Sequence, residues 1–115
     1  MSGAGSRRKG HDFERTLVQQ FAKVFGEDKV RRGFQYRDGS DAPDVESPVF
    51  WVEAKRGQRT HAKGALAQAR EASVGKGLWP LAVCKDDREP PLVTMALDDF
   101  LELVGEWWGL RSKAG

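Results

Sequence analysis

The apolar side chains near the start of the chain recur every three or four positions, from about residue 10 to residue 26. This spacing places them on one face of a helix, and Gly26 stands where such a helix should end. We therefore predict an amphipathic first helix. Its apolar positions are Phe13, Leu17, Phe21 and Val24, with Val18 and Phe25 beside them.

The middle of the chain carries short runs rich in β-branched and aromatic residues. We predict strands at residues 30–36, 44–47 and 49–55, and the last two are joined near Pro48. The segment RDGSDAPD, between the first two of these strands, is dense in turn formers. A β-hairpin preceded by a loop and a further strand is therefore expected.

The second half of the chain returns to helical composition and then to apolar runs. Residues 60–76 favour a helix that stops near two glycines, and residues 80–85 and 91–97 are predicted as a buried strand pair. Asp98 or Asp99 would cap a last helix that carries Phe100, Leu101, Leu103, Val104 and Trp107. We expect at least one of Trp107 and Trp108 in the core, and base stacking or a subunit interface is the alternative role.

These elements give the order α-β-β-β-α-β-β-α, which favours an α/β fold with a mixed central sheet flanked by helices. A chain of 115 residues suffices for one compact domain. We place this domain at residues 10–110, after a basic, flexible arm at residues 1–9 and before a tail at residues 111–115. Any active site must then be assembled within one fold.

Composition narrows the class of protein. Hydrophobic residues make up 39% of the chain and charged residues 31%, and no apolar run approaches the length of a membrane span. We expect a cytoplasmic protein with no membrane partner. One cysteine and two separated histidines do not offer a structural zinc set, and no small-molecule cofactor is expected.

Charge is distributed unevenly along the chain. Residues 1–40 carry nine Lys/Arg against five Asp/Glu, and residues 54–88 carry eight against three, whereas the stretch 41–53 is acidic. A basic surface around a small acidic island suits a polyanion held beside a cation site. Basic surfaces are common, so this pattern alone does not establish nucleic-acid binding.

The segment PVFWVEAK contains the residues to which we assign chemistry. Strand alternation puts Glu53 and Lys55 on one face, and a tight hairpin would bring Asp44 opposite Glu53 within one or two positions of register. Two carboxylates brought together repel unless a cation compensates, and hard oxygen ligands select Mg²⁺, for which Mn²⁺ is expected to substitute. Lys55 would orient the attacking water and stabilise phosphate charge, with the Ala54 carbonyl as an additional ligand. The alternative is a solvent-facing Glu53–Lys55 pair with Asp44 as a turn residue.

Pro43-Asp44 followed by Glu53-Ala54-Lys55 resembles the signature of the PD-(D/E)-x-K nuclease superfamily. The segments SRRKGHDFER, SDAPDV, WVEAKR and ALAQA are more closely similar to archaeal-type Holliday junction resolvases and their phage-encoded relatives. The resemblance runs from about residue 6 to residue 104. It implies a restriction-endonuclease-like fold and metal-dependent DNA cleavage.

The resemblance also implies individual roles. Asp44 and Glu53 would be metal ligands, Lys55 the catalytic lysine, and Glu14 a further acidic residue of the metal site. Helical spacing independently points Glu14 inward, although an acidic residue near a helix N-terminus is equally explained by the helix dipole. Gln68 matches the ALAQA segment and would position water or phosphate, unless it is an ordinary surface glutamine.

Phosphate contacts require positive charge without strict geometry, so several basic residues are candidates for DNA binding. Any one of them alone is more often a solubilising charge. Ser40 and Asp41 would touch phosphate or metal, although a turn also favours such residues. The predicted DNA-binding residues are Arg7, Arg8, Lys9, Arg31, Arg32, Ser40, Arg56, Arg59 and Lys63.

Together these features predict a Mg²⁺-dependent endodeoxyribonuclease that cuts branched DNA as a homodimer, because symmetric nicking of a four-way junction needs two active sites. One alternative is a nuclease of the same superfamily that acts on duplex or flap DNA. Another is a non-catalytic DNA-binding protein that has kept the fold.

Overall fold

The computed structural model describes the backbone of residues 3–34 and 42–114 and the side chains of residues 8–34 and 42–113. The helices and strands of this part of the chain follow the predicted order α-β-β-β-α-β-β-α, which is confirmed. A short 3₁₀ helix at Glu27–Lys29 was not predicted. The helices are α1 (Gly3–Phe25), α2 (Ala62–Ala72) and α3 (Leu97–Ala114). The strands are β1 (Arg31–Arg32), β2 (Val45–Glu46), β3 (Phe50–Gly57), β4 (Trp79–Asp86) and β5 (Leu92–Thr94).

The five strands form one sheet in the order β1-β2-β3-β4-β5. Strands β3 and β4 are parallel, because the chain crosses over through α2 between them, and the other neighbouring pairs are antiparallel. The predicted mixed sheet flanked by helices is thus confirmed. The parallel pair is the longest in the sheet and forms its centre.

Helix α1 covers one face of the sheet. Phe13 and Leu17 are 7% and 2% exposed and pack on Val45, Val52 and Val83 from three strands. Toward the end of α1, the partly buried side chains of Phe21, Ala22 and Phe25 pack against the same core. Val24, predicted as part of the apolar face, is instead 77% exposed.

Helix α2 covers the opposite face with small side chains. Ala65 and Ala69 are buried on α2, and Ala65 packs with Ala82 and Cys84 of β4. Alanines at these positions let the helix axis approach the sheet closely, which brings the polar side chains of α2 over β3.

The first and last helices are longer than the sequence predicted. Helix α1 begins at Gly3, so most of the expected N-terminal arm is helical backbone, and α3 continues to Ala114 through the expected tail. The physical reason is that the added segments contain no proline and include Ala, Arg and Lys, which propagate a helix readily.

The last two elements are more exposed than the sequence predicted. Leu92 and Val93 of β5 are 62% and 61% exposed, because β5 is an edge strand and not half of a buried pair. Trp107 and Trp108 are 54% and 60% exposed, so neither enters the core of its own chain. The radius of gyration is 15.1 Å, against about 13 Å for a compact chain of this length. None of the described helices is long and apolar enough to cross a membrane.

Candidate nuclease site

Asp44 lies at the start of β2, next to the middle of β3. Val45 pairs with Val52 and Glu46 with Trp51, so continuing this register by one residue puts Asp44 opposite Glu53. The Asp44 amide donates to the Val52 carbonyl at 2.9 Å, and Asp44 Oδ2 accepts from the Ala54 amide at 2.8 Å. The predicted hairpin register is therefore confirmed, and the backbone of β3 fixes the Asp44 carboxylate.

Glu53 projects from β3 toward α2 and is only 3% exposed. Trp51 Nε1 donates to Glu53 Oε1 at 3.1 Å, and Gln68 Nε2 donates to Oε2 at 3.4 Å from α2. Within the described part of the chain, Glu53 is the only buried charged residue. Buried carboxylates are rare unless paired or bound to a metal, so this position calls for a functional explanation.

Burial raises the pKa of Glu53 from its ordinary 4.5 to about 7, and the negative charge of Asp44 adds to the rise. The hydrogen bond from Trp51 and the positive charge of Lys55 act in the opposite direction and lower this pKa. Without a further positive charge, Glu53 therefore holds a proton over much of the range below neutral pH. A cation between the two carboxylates would favour the ionised form of Glu53.

Ala54 presents its backbone to the same edge of β3. Its amide points toward Asp44, as the 2.8 Å hydrogen bond shows. The N–H and C=O of one strand residue point to the same side, so the Ala54 carbonyl also faces the Asp44 side of β3. Three oxygen donors are thus directed to one region.

Lys55 lies two residues beyond Glu53 on β3 and pairs with Cys84 of the parallel strand β4. Strand alternation puts it on the α2 face together with Glu53, and its charge reaches the Glu53 carboxyl. Its ammonium makes no hydrogen bond or ion pair with the other described residues. It is therefore available to a water or a phosphate.

Glu14 does not join this group in the structure. Its Oε1 accepts from Arg32 Nε at 3.1 Å, and its side chain is 18% exposed. No cluster of three acidic, histidine or cysteine residues suited to a metal occurs among the described residues. The buried face of α1 is centred on Phe13 and Leu17, which leaves Glu14 at its margin beside β1.

The basic residues predicted to contact DNA fall into two groups. Arg8, Arg59 and Lys63 are exposed and form no ion pair with other described side chains. The other four are engaged with carboxylates of the chain itself. These pairs are Lys9 with Asp87, Arg31 with Glu46, Arg32 with Glu14, and Arg56 with Asp87.

Arg56 is the most strongly engaged of these cations. Its side chain is 19% exposed, and besides its ion pair with Asp87 it donates to the carbonyls of Gly57 and Lys85. Arg56 thus ties the ends of β3 and β4 together. The side chain of Arg7, together with Ser40 and Asp41, lies outside the described residues.

Sequence reasoning missed two residues that shape the site. Gly33 lines a cavity of about 310 Å³ together with Pro43, Asp44, Glu53 and Gln68. A Cβ at Gly33 would lie 1.6 Å from the Pro43 carbonyl oxygen, so only glycine permits this approach. The second is Trp51, whose position two residues before Glu53 on the same strand was a usable signal.

The mixed α/β sheet flanked by helices is a class of fold that is also found in a solved structure. The chain is similar to Hjc of Archaeoglobus fulgidus, a Holliday junction resolvase from an archaeal hyperthermophile. The TM-score is 0.53 and the identity 19%, over 76% of this chain and 72% of the other. No protein-family model and no curated protein sequence match the chain. The similarity confirms the resolvase-like fold expected from the motifs.

Proposed function

We propose that the chain is a metal-dependent DNA endonuclease, and that its substrate is branched DNA of the Holliday junction type. The observation that carries the proposal is the convergence of Asp44 on the buried Glu53, whose pKa is raised to about 7. Two carboxyls that repel each other in a buried setting fit a divalent cation. The resolvase-like fold supports the same conclusion.

The donor set fits Mg²⁺, and Mn²⁺ by the same chemistry. Asp44 and Glu53 would hold the ion with the carbonyl of Ala54, since Asp44 lies opposite Glu53 and the Ala54 carbonyl faces the Asp44 side of β3. When bound, the ion would act as a Lewis acid on the phosphate and would lower the pKa of a water bound to it. Glu14 remains a proposed fourth member that would first have to leave Arg32.

Two further side chains would act on the substrate directly. Lys55, which has no ion-pair partner among the described residues, would orient the attacking water and bind a phosphate oxygen. Gln68 holds Glu53 Oε2 through one of its two amide hydrogens, which leaves the other free for water or phosphate. The attacking water adds to phosphorus, and the leaving 3′ or 5′ oxygen takes up a proton.

Branched DNA is proposed because the structural neighbour is a Holliday junction resolvase. Symmetric cutting of a four-way junction requires two sites related by a two-fold axis, and the chain supplies one, so we propose a homodimer. The exposed cations Arg8, Arg59 and Lys63 would contact phosphates.

A cleavage assay on a four-way junction, a flap and a linear duplex tests the proposal. We expect paired nicks in the junction with Mg²⁺ or Mn²⁺ and none with EDTA. Glu71→Gln, a carboxylate-to-amide change on the exposed side of α2, is the control that should cleave normally. Cleavage that persists in EDTA would disprove the metal mechanism, and equal cleavage of flap and duplex would disprove junction specificity.

A further inference from the structure

The side of α3 that faces its own domain is mostly acidic. Asp99 and Leu103 are partly buried, and Glu102 Oε1 accepts from Trp79 Nε1 at 3.2 Å. Asp99, Glu102 and Glu106 line a concavity of about 520 Å³ against the start of β4. These residues recur at helical spacing and define one side of α3. A surface helix normally does the reverse and buries its apolar side.

The opposite side of α3 is apolar and exposed. Its side chains recur at spacings of three and four residues, as in a helix that packs against another helix. We call this surface the outer face of α3. It consists of Leu97 (70% exposed), Phe100 (47%), Leu101 (56%), Val104 (37%), Trp107 (54%) and Trp108 (60%), with Arg111 at its end.

The outer face is large enough for a stable interface. Its exposed apolar residues present on the order of 700 Å², above the usual largest patch of a monomer and close to the share of one partner in a standard interface. Two exposed tryptophans are also the residue type that dominates binding energy at interfaces. A face of this size and composition is typical of an interaction surface.

The charges of α3 indicate what that partner is. Asp98 and Asp99 occupy the first turn, and Arg111 and Lys113 occupy the last turn. Because Asp99 lies on the side that faces its own domain, the charges considered for a partner are Asp98 at one end and Arg111 at the other. An antiparallel copy of the same helix would place each basic end beside the acidic end of the other copy, and it would also oppose the two helix dipoles. A parallel copy would bring like charges together.

We propose that the outer face of α3 binds the same face of a second copy, antiparallel and related by a two-fold axis near Val104. Helical spacing then puts Leu101 against Trp107 of the second copy and Asp98 beside Arg111 of the second copy. The inference extends the proposed function, since it identifies the interface that would bring two nuclease sites into one particle.

Light scattering of the metal-free protein without DNA, at micromolar concentration, tests the interface. We expect a dimer for the wild type and a shift of the dimer dissociation constant by more than about tenfold toward monomer for Trp107→Glu. The matched controls are Val24→Glu and Val74→Glu, which alter side chains that are each 77% exposed but lie outside α3. These should remain dimers, and circular dichroism should show every variant folded.

A charge exchange tests the antiparallel arrangement. Asp98→Lys alone and Arg111→Glu alone should each weaken the dimer, and the two changes together should restore most of it. Because Arg111 also stacks on Trp107 at 5.2 Å, Arg111→Gln serves as the control that loses this contact without reversing charge. If the double variant weakens the dimer by the sum of the two single effects, the antiparallel arrangement is wrong.

A monomeric wild type, or a dimer unaffected by Trp107→Glu, would overturn the proposal. So would a monomer that sediments with vesicles of phosphatidylcholine and phosphatidylglycerol, since the outer face would then bind lipid. The mass measurement needs neither cleavage nor metal, so it is independent of the nuclease proposal. A monomer that cleaves DNA would overturn the interface and the proposed homodimer but not the nuclease activity, and an inactive dimer would overturn only the nuclease activity.

Discussion

At the scale of the residue, the site depends on how Glu53 is held. Two donors, Trp51 and Gln68, fix its two oxygens, while burial and the charge of Asp44 oppose its ionisation. The carboxylate is thus oriented for a ligand but costly to ionise without one. A cation site is often built this way, because the bound ion then compensates a charge that the fold has already positioned.

The raised pKa of Glu53 predicts a specific dependence of stability on pH in the metal-free protein. Because the folded pKa of about 7 lies above the ordinary 4.5, the stabilising contribution is complete below about pH 4.5 and is lost as pH rises through 7. Glu53→Gln, which cannot ionise, should gain up to about 3 kcal/mol relative to wild type between pH 5 and pH 8. Urea unfolding in EDTA at both pH values measures this difference, and parallel pH profiles would contradict it.

Trp51 offers a second test at the residue scale. Its N–H lowers the pKa of Glu53, so Trp51→Phe should raise that pKa and move the pH profile of cleavage to higher pH. Activity should return at high pH, because the phenyl ring still fills most of the space of the indole. Trp79→Phe is the control, since it removes an N–H bonded to Glu102 away from the site. A uniform loss of activity at all pH values would assign Trp51 a packing role only.

At the scale of the element, the position of Asp44 depends on a close approach between two chain segments. The Gly33 amide donates to the Asp44 carbonyl at 3.1 Å, just after β1, and Gly33 leaves no room for a side chain against Pro43. Asp44 is thus held on two sides. The Ala54 amide of β3 binds its side chain, and the Gly33 amide binds its backbone carbonyl. The acidic residue is held by backbone contacts, which local sequence determines only in part.

Gly33→Ala should therefore disturb the site without changing any catalytic group. The added Cβ would lie 1.6 Å from the Pro43 carbonyl oxygen, so the segment carrying Asp44 must move. We expect a loss of stability of about 1–3 kcal/mol and a fall in cleavage of more than about tenfold. Gly57→Ala is the matched control, because a Cβ there meets nothing within 4 Å. Normal cleavage by Gly33→Ala would show that this approach does not position Asp44.

Sequence periodicity predicted the elements because their patterns are strong. The 3.6-residue repeat of Phe13, Leu17 and Phe21 and the alternation around Glu53 define which faces are buried, and the hairpin register follows from the short turn. Pairings between distant residues could not be predicted. Arg32 with Glu14 and Arg56 with Asp87 depend on which elements become neighbours, and the sequence does not specify a partner for an individual charge.

At the scale of the whole molecule, the charged residues proposed for the metal site and those proposed for DNA contacts differ in exposure. Glu53 is buried and Asp44 beside it is partly buried, whereas the cations Arg8, Arg59 and Lys63 are exposed. Arg56, also predicted to bind DNA, is partly buried and is held by its ion pair with Asp87 and by two backbone carbonyls. The exposure of α3 could not be predicted from the sequence, because an amphipathic pattern shows that one face is apolar but not which molecule covers it.

We expect Asp44→Asn to reduce cleavage without weakening DNA binding. The double variant Arg59→Ala with Lys63→Ala should instead weaken DNA binding. Asp44→Asn should reduce cleavage by more than about a hundredfold, because it removes a proposed metal ligand. It should leave binding in Ca²⁺ intact or slightly tighter, since it removes a negative charge facing the phosphates. The double alanine variant should weaken binding and lower the salt slope of log K by about two, one for each lost phosphate contact. Affinities at several salt concentrations, beside cleavage rates in Mg²⁺, measure both effects. Wild-type cleavage by Asp44→Asn would disprove the role of Asp44, and joint loss of binding and cleavage would show that Asp44 maintains the fold.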